Sequence, residues 1–172
     1  MKMRSFGGRL KKVTARFVSL SRENGTRTCM RGRQIVFLDT SVWIAAVLSD
    51  RGASRFVLER ALMNEFLVVS SPDVYEEAVR NIAKKYPHFL EEFTHMFTLI
   101  HPTLVQPHKP TLLRAATIIH PDDAPILAAA MDSGATIVLT LDRKHFLLPE
   151  HIEKESGIAV MLPGVFVQEF LR

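Results

Sequence analysis

The chain has 172 residues, 47% of them hydrophobic, so it is long enough and apolar enough for one globular domain with a sizeable core. Its lone cysteine, Cys29, excludes an internal disulfide and a thiolate-rich zinc site, and no apolar run approaches the roughly 20 residues that cross a bilayer. The net charge of +4 is unevenly divided, because residues 1–34 carry +9 and residues 35–172 carry −5. We therefore predict a cytoplasmic protein without a membrane partner, in which residues 1–33 form a basic extension outside the core and residues 34–172 form the domain.

Apolar periodicity predicts that strands and helices alternate along this domain. In chain order the pattern predicts strand 34–38, helices 41–48 and 54–63, strand 66–69, helices 71–85, 89–100 and 122–133, strands 137–140 and 158–161, and helix 163–171. Ser71 has the residue type of an N-cap, Pro72 that of a first helical position and Gly134 that of a C-cap. Residues 101–110 contain three prolines and are expected to form a surface connection. The alternation is typical of an α/β fold, a three-layer α/β/α sandwich with a central parallel sheet and right-handed crossovers.

Four acidic residues lie at the ends of these elements. Asp39 directly follows the first strand, and Asp142 follows the third, so both point to the carboxyl edge of the sheet, where open parallel sheets bind ligands. Glu77 lies about one and a half turns into a helix and Asp123 in the first turn of another, from which both can reach the same crevice. Taken singly, an Asp at a helix start is more often a cap, and a Glu in a helix is usually solvated.

Taken together, the four carboxylates predict a metal site. Like charges brought within a few ångströms raise each other's pKa and cost stability unless a cation neutralises them. Ligands that are all oxygen suit Mg²⁺ or Mn²⁺, ions that activate water and stabilise the charge on a phosphodiester during an in-line displacement. The expected catalytic and metal-binding set is Asp39, Glu77, Asp123 and Asp142, with Thr40, Ser41, Glu76, Asp122 and Thr140 as auxiliary residues. His120 and His145 lie near acidic segments without a ligand spacing, so we assign them to surface or supporting positions.

Several other α/β classes are excluded by the motifs they require. The chain has no GxGxxG, Walker or GxSxG motif, which argues against a nucleotide-binding or α/β-hydrolase protein. A phosphorelay receiver needs an acidic pair after the first strand and a lysine after the last, and neither is present. A haloacid-dehalogenase-type phosphatase needs a second Asp where Ser41 stands.

Residues 34 to about 170 resemble PIN-domain proteins, specifically the VapC-like toxin ribonucleases of toxin-antitoxin systems. The family's opening motif is matched by Asp39-Thr40-Ser41 after an apolar strand, and its second acid by Glu77 behind Ser71-Pro72, with Glu76 as the neighbouring alternative. Its third and fourth acids are matched by Asp123 before an Ala-rich helix and by Asp142 in Thr140-Leu141-Asp142-Arg143. Ser41 and Leu141 depart from the Asn and Gly of many relatives, but neither removes a carboxylate.

The resemblance implies a Mg²⁺- or Mn²⁺-dependent endoribonuclease with an RNA substrate, a cognate antitoxin that blocks the site, and homodimers. Two alternatives stay open at this point. One is an RNA-processing nuclease outside a toxin-antitoxin pair, and the other is a non-catalytic RNA-binding or protein-interaction module. The basic extension also has three interpretations: an RNA-binding arm, a targeting peptide, or translated upstream sequence before an alternative start at Met30.

Overall fold

A five-stranded, all-parallel sheet forms the centre of the computed structural model, which describes residues 33–147 and 151–171. Helices flank the sheet, so the predicted three-layer α/β/α architecture is confirmed. The elements are β1 (Ile35–Leu38), α1 (Thr40–Leu48), α2 (Ala53–Leu62), β2 (Leu67–Ser70), α3 (Pro72–Lys85), α4 (Leu90–Ile100), β3 (Thr103–Leu104), α5 (Lys109–Ile118), α6 (Ala124–Asp132), β4 (Ile137–Leu139), α7 (His151–Ser156), β5 (Ala159–Met161) and α8 (Pro163–Phe170). A 3₁₀ turn at Pro87–Phe89 links α3 to α4, and a π-helical turn occupies Arg143–Leu147 after β4.

The strand order β3-β2-β1-β4-β5 places β1 in the middle of the sheet. Phe37 pairs with Val69 of β2 on one side and with Val138 of β4 on the other. The chain first builds the sheet outward from β1 through β2 and β3, and then returns to the opposite side for β4 and β5. The carboxyl ends of β1 and β4 therefore form a topological switch point, where an open parallel sheet leaves a crevice for ligands.

Burial explains why β1 is apolar throughout. Val36, Phe37 and Leu38 are fully buried, as expected for a strand with neighbours on both edges and helices on both faces. A second apolar cluster joins α5, α6, the π-helical turn and α7 through Ala115, Leu127, Phe146, Ile152 and their neighbours. Asp123 directly precedes Ala124 of this cluster, and Asp142 lies four residues before Phe146, so the packing of the cluster positions the chain next to both acids.

The predicted helix ends of α3 and α6 are confirmed. The Ser71 hydroxyl accepts a hydrogen bond of 3.3 Å from the Val74 N–H, and Pro72 is the first residue of α3. Gly134 has φ +70°, a left-handed conformation that disfavours a side chain, and it follows α6 as a C-cap glycine would.

The expectation for residues 101–110 was wrong in part. Thr103 and Leu104 form β3, an edge strand that pairs with Val69 and Ser70 of β2, and α5 begins at Lys109. Two exposed residues cannot show strand periodicity, so the sheet has five strands where four were predicted. Helix α5, the π-helical turn and α7 were also not predicted.

No helix in the described ranges is long and apolar enough to cross a membrane. The expectation that residues 1–33 lie outside the core concerns a segment that, apart from Arg33, is outside the described residues.

Candidate functional site

A cavity of about 600 Å³ lies at the carboxyl ends of β1 and β4, and all four predicted acids line it. Its walls also include polar, basic and apolar residues. The lining residues are Asp39, Thr40, Ser41, Ile44, Asp73, Glu77, Arg80, Asn81, Asp122, Asp123, Pro125, Ile126, Asp142 and Phe146. Six of these residues are carboxylates, and among the described residues that line the cavity only Arg80 is a basic residue.

Asp39 is fixed at the end of β1 by its backbone. Its N–H donates to the Leu139 carbonyl of β4 (3.0 Å), and its own carbonyl accepts the Val42 N–H that starts α1 (3.0 Å). Although Asp39 occupies the N-cap position of α1, its side chain makes no capping hydrogen bond. The carboxylate is thus available to the cavity, and the alternative that it is an ordinary cap fails.

The Asp39 carboxylate is buried, with 6% of the residue exposed. Its Oδ2 accepts hydrogen bonds from the Ser41 hydroxyl (2.6 Å) and from the Thr140 hydroxyl (2.8 Å). Burial raises the pKa of Asp39 above its ordinary value, and the nearby charge of Glu77 raises it further, against the opposing effect of these two hydrogen bonds. An ionised Asp39 is therefore costly in the metal-free protein, and a cation would relieve that cost.

Glu77 reaches the same cavity from α3. Its Oε2 accepts a hydrogen bond from the Thr40 hydroxyl (2.8 Å), and its Oε1 accepts one from the Asn81 amide (3.4 Å). Thr40 thereby links the start of α1 to the acid on α3. Ser41 makes the corresponding link to the other strand, because its hydroxyl oxygen accepts the Leu141 N–H (2.9 Å).

Asp142 is held by the π-helical turn that follows it. Its Oδ1 accepts the N–H groups of Lys144 (2.9 Å) and His145 (3.0 Å), and its own N–H donates to the Thr140 hydroxyl (2.9 Å). Thr140 consequently contacts both Asp39 and the backbone of Asp142. These contacts position Asp142 beside the end of β4.

Asp123 and Asp142 form a second pair of acids, bridged by His145. The His145 Nδ1 lies 3.0 Å from Asp142 Oδ2 and 3.3 Å from Asp123 Oδ2. Burial raises the pKa of Asp123 and so does Asp142, whereas the charge of His145 lowers it. The side chain of Asp123 makes no capping hydrogen bond at the start of α6. One ligand atom from each of these three residues lies within 4.8 Å of the others, which is close enough for a common metal ion.

The auxiliary residues divide into two groups. Thr40, Ser41 and Thr140 donate hydrogen bonds to the acids, so they can orient carboxylates as expected. Asp122 lines the cavity with a side chain that is 90% exposed, whereas Glu76 is exposed and does not line it. The structure therefore favours Glu77 over its neighbour.

The sequence analysis missed three polar or charged residues of the cavity wall, and it assigned only a supporting position to a fourth residue, His145. Asp73, Arg80 and Asn81 lie four residues before, three after and four after Glu77, so helical spacing places them on its face of α3. That spacing was a readable signal. The bridging position of His145 depends on the π-helical turn, which no sequence pattern indicated.

The donor set suits a hard divalent cation. Carboxylate oxygens are the preferred protein ligands of Mg²⁺ and Mn²⁺, and two groups of the cavity, Asp39 and Asp123, carry pKa values raised by burial and neighbouring acids. A site with one arginine and six carboxylates lacks the positive charge to balance itself. The chemistry of these side chains thus fits the metal that the sequence predicts.

A family model described as the PIN domain matches residues 35–144. The match covers more than half of the chain, and the protein belongs to the PIN domain family. PIN domains are in general nucleases, so the family makes the cavity a candidate site for cleaving nucleic acid.

Nine chains of solved structures are similar to this fold. One belongs to the crystal structure of VapBC2 from Rickettsia felis bound to a DNA fragment from their promoter. It has 14% sequence identity to this chain and a TM-score of 0.53, with 75% of this chain and 98% of that chain covered. At this identity the likeness concerns the fold. None of the curated proteins matches the chain.

Proposed function

We propose that this PIN domain is a Mg²⁺- or Mn²⁺-dependent endoribonuclease and the toxin component of a type II toxin-antitoxin system. The observation that carries the proposal is the meeting of Asp39, Glu77, Asp123 and Asp142 in one cavity at the switch point of the sheet. A non-catalytic copy of the fold would have no need to retain four acids whose mutual repulsion costs stability.

In this proposal Asp39, Glu77, Asp123 and Asp142 hold the metal. When bound, the ion supplies an activated water and neutralises charge on the phosphodiester. Ser41 and Thr140 orient Asp39, and Thr40 orients Glu77. Asp39 and Asp142 are the firmest ligands in this proposal, because β1 and β4 fix the backbone of Asp39 and the N–H groups of the π-helical turn hold the carboxylate of Asp142.

The direct test compares cleavage by the wild-type protein with cleavage by Asp142→Asn. The amide oxygen of Asn can still accept the N–H groups of Lys144 and His145, so the turn should persist while a negative charge is lost. We expect RNA cleavage to require Mg²⁺ or Mn²⁺, to stop in EDTA, and to fall about a hundredfold or more in the variant. Exposed Asp50 provides the matched control, and Asp50→Asn should cleave as wild type does. Activity that persists in EDTA would contradict the mechanism.

The toxin assignment is supported by the similarity of this fold to a chain in the VapBC2 structure, which is bound to a DNA fragment from the VapBC2 promoter. We infer a cytoplasmic protein whose cognate antitoxin inserts an Arg or Lys side chain among the carboxylates, and which associates as a homodimer. Expression without the partner should arrest growth, Asp142→Asn should not, and the native protein should co-purify with a small partner. Recovery of the protein alone, with normal growth during expression, would instead favour an RNA-processing nuclease.

A further inference from the structure

Among the described residues that line the cavity, Arg80 is the one basic residue. It lies on α3 three residues after Glu77 and seven after Asp73, so all three share the face of the helix that lines the cavity. The residue is exposed to solvent, and the other charged groups in the cavity wall are carboxylates.

Within the described part of the chain, Arg80 forms no salt bridge and no side-chain hydrogen bond, although six carboxylates line the same cavity. Its natural partner along the helix is Glu77, but both oxygens of that carboxylate accept hydrogen bonds from neutral donors, Thr40 and Asn81. Two other arginines form salt bridges: Arg55 pairs with Glu92 at 2.7 Å, and Arg60 pairs with Glu65. The guanidinium of Arg80 is therefore left available for a ligand.

A nucleic acid that enters this cavity brings phosphates close to six carboxylates, and the repulsion must be offset. A bound metal neutralises part of it at the reacting phosphate. A guanidinium adds paired N–H donors with the geometry of a phosphate's non-bridging oxygens, which a solvated lysine does not match. The alternative interpretation is that Arg80 is a solvated side chain that contacts no ligand and only reduces the negative potential of the carboxylates.

We infer that Arg80 binds a phosphate of the RNA strand in the cavity and so positions the strand across the four acids. This inference rests on the proposed ribonuclease function. It assigns Arg80 to substrate binding and predicts that loss of Arg80 weakens RNA binding without weakening metal binding. Removing a positive charge from an acidic cavity should weaken RNA binding but leave the affinity for a divalent cation unchanged or higher.

The test uses the full chain as wild type, Arg80→Ala, Arg80→Lys and a matched control, Arg51→Ala. Arg51 is an exposed arginine between α1 and α2 that does not line the cavity. Binding of a single-stranded RNA is measured at several salt concentrations with Ca²⁺ in place of Mg²⁺, and a gel checks that the RNA stays intact. Mn²⁺ binding without RNA is measured by calorimetry.

For Arg80→Ala we expect RNA affinity to fall about tenfold, and the slope of log K against log salt to shrink by about 0.7, the value for one lost phosphate contact on a single strand. Arg80→Lys should keep the slope and recover part of the affinity, because the charge remains but the paired donors do not. Arg51→Ala should stay within twofold of wild type, and Mn²⁺ affinity should not fall in any variant.

Two results would overturn the inference. One is an Arg80→Ala protein with the RNA affinity and salt slope of Arg51→Ala. The other is a parallel loss of RNA and Mn²⁺ affinity, which would show that Arg80 maintains the shape of the cavity. If the wild-type protein neither binds nor cleaves RNA, the proposed function fails and this inference fails with it. If the wild type cleaves RNA but Arg80→Ala is unaffected, the inference about Arg80 alone fails.

Discussion

Burial and hydrogen bonding shift the pKa of Asp39 in opposite directions. Its surroundings exclude water and place the charge of Glu77 nearby, which together favour the protonated acid, whereas Ser41 and Thr140 donate hydrogen bonds that favour the carboxylate. The net effect is a raised pKa. Such a group destabilises the metal-free protein whenever it is ionised, and the tension is relieved by protonation, by a bound cation or by removal of the charge.

The substitution Asp39→Asn should therefore abolish RNA cleavage without destabilising the metal-free protein. The amide oxygen of Asn can accept both hydroxyl donors, so the local geometry should survive, while the ligand charge is lost. We expect cleavage to fall about a hundredfold or more. In EDTA at neutral pH, the free energy of unfolding should match or exceed that of wild type.

The pH dependence of this effect has a defined sign. Because the folded-state pKa of Asp39 is raised, the wild-type protein loses stability as the pH rises from the ordinary value of 3.8 through the folded value, and the full cost applies above it. The gain in Asp39→Asn should accordingly appear on going from acid to neutral pH and shrink when Mg²⁺ is added. Denaturant titrations of both proteins measure it, with Asp50→Asn as the control. If the stability of Asp39→Asn falls in EDTA as much as that of wild type, or if the variant cleaves RNA at the wild-type rate, this account is refuted.

At the scale of secondary-structure elements, Asp132 connects the end of α6 to the start of α5. Its Oδ2 accepts the His108 N–H (2.7 Å) and lies 3.0 Å from the His108 Nδ1, and its Oδ1 accepts the Thr111 hydroxyl (2.7 Å). Burial alone would raise the pKa of Asp132, but these hydrogen bonds outweigh it and lower the pKa. Asp132 thus acts as a capping group for α5 supplied by another helix.

Asp132→Ala should cost about 1–2 kcal/mol of unfolding free energy at pH 7, the usual effect of losing a charged cap and its hydrogen bonds. Since the folded-state pKa is lowered, the contribution is complete above the ordinary value of 3.8 and disappears as the pH falls through the folded value. The difference between wild type and variant should narrow in acid, and denaturant titrations at several pH values test this. A difference that is constant with pH would show that Asp132 acts through packing. Exposed Asp50→Ala supplies the reference.

How much of each element could be predicted depended on whether its residues are buried in a regular pattern. Strand β1 and helix α3 could be predicted, because continuous burial and a strong cap leave clear signals in the sequence. Strand β3 has two exposed residues, and α5 buries only Ala115 and Ile118, so neither leaves a period to detect. Their positions are set by pairing with β2 and by contact with α6, which are long-range effects.

The candidate site followed the same rule. Carboxylates that follow buried strands meet at the sheet edge, so Asp39 and Asp142 could be placed from sequence, and Glu77 and Asp123 could be placed from their positions early in two helices. The PIN resemblance then matched all four. The bridging contacts of His145 arise from the conformation of the π-helical turn, which propensity does not indicate.

At the scale of the whole molecule, the negative charge of residues 35–172 should repel RNA, the proposed substrate. Residues 35–172 carry −5, and the cavity concentrates carboxylates, so this part of the chain should repel RNA beyond the reach of Arg80 and the metal. Residues 1–34 carry +9. A basic segment of this kind can raise the encounter rate with RNA without contributing to the fold, because its attraction is electrostatic and independent of sequence.

Removal of residues 1–29 should therefore change RNA binding and leave stability intact. The truncated chain keeps Met30 as its first residue and retains every element described here. We expect a melting temperature nearly equal to that of the full chain, and cleavage of saturating RNA at the same maximal rate. RNA affinity should fall most at low salt, and the slope of log K against log salt should become smaller, since up to eight Lys and Arg residues before Met30 no longer release counterions. A loss of several degrees would show that the segment packs on the domain, whereas an unchanged slope would exclude an RNA-binding arm and favour a targeting peptide or translated upstream sequence.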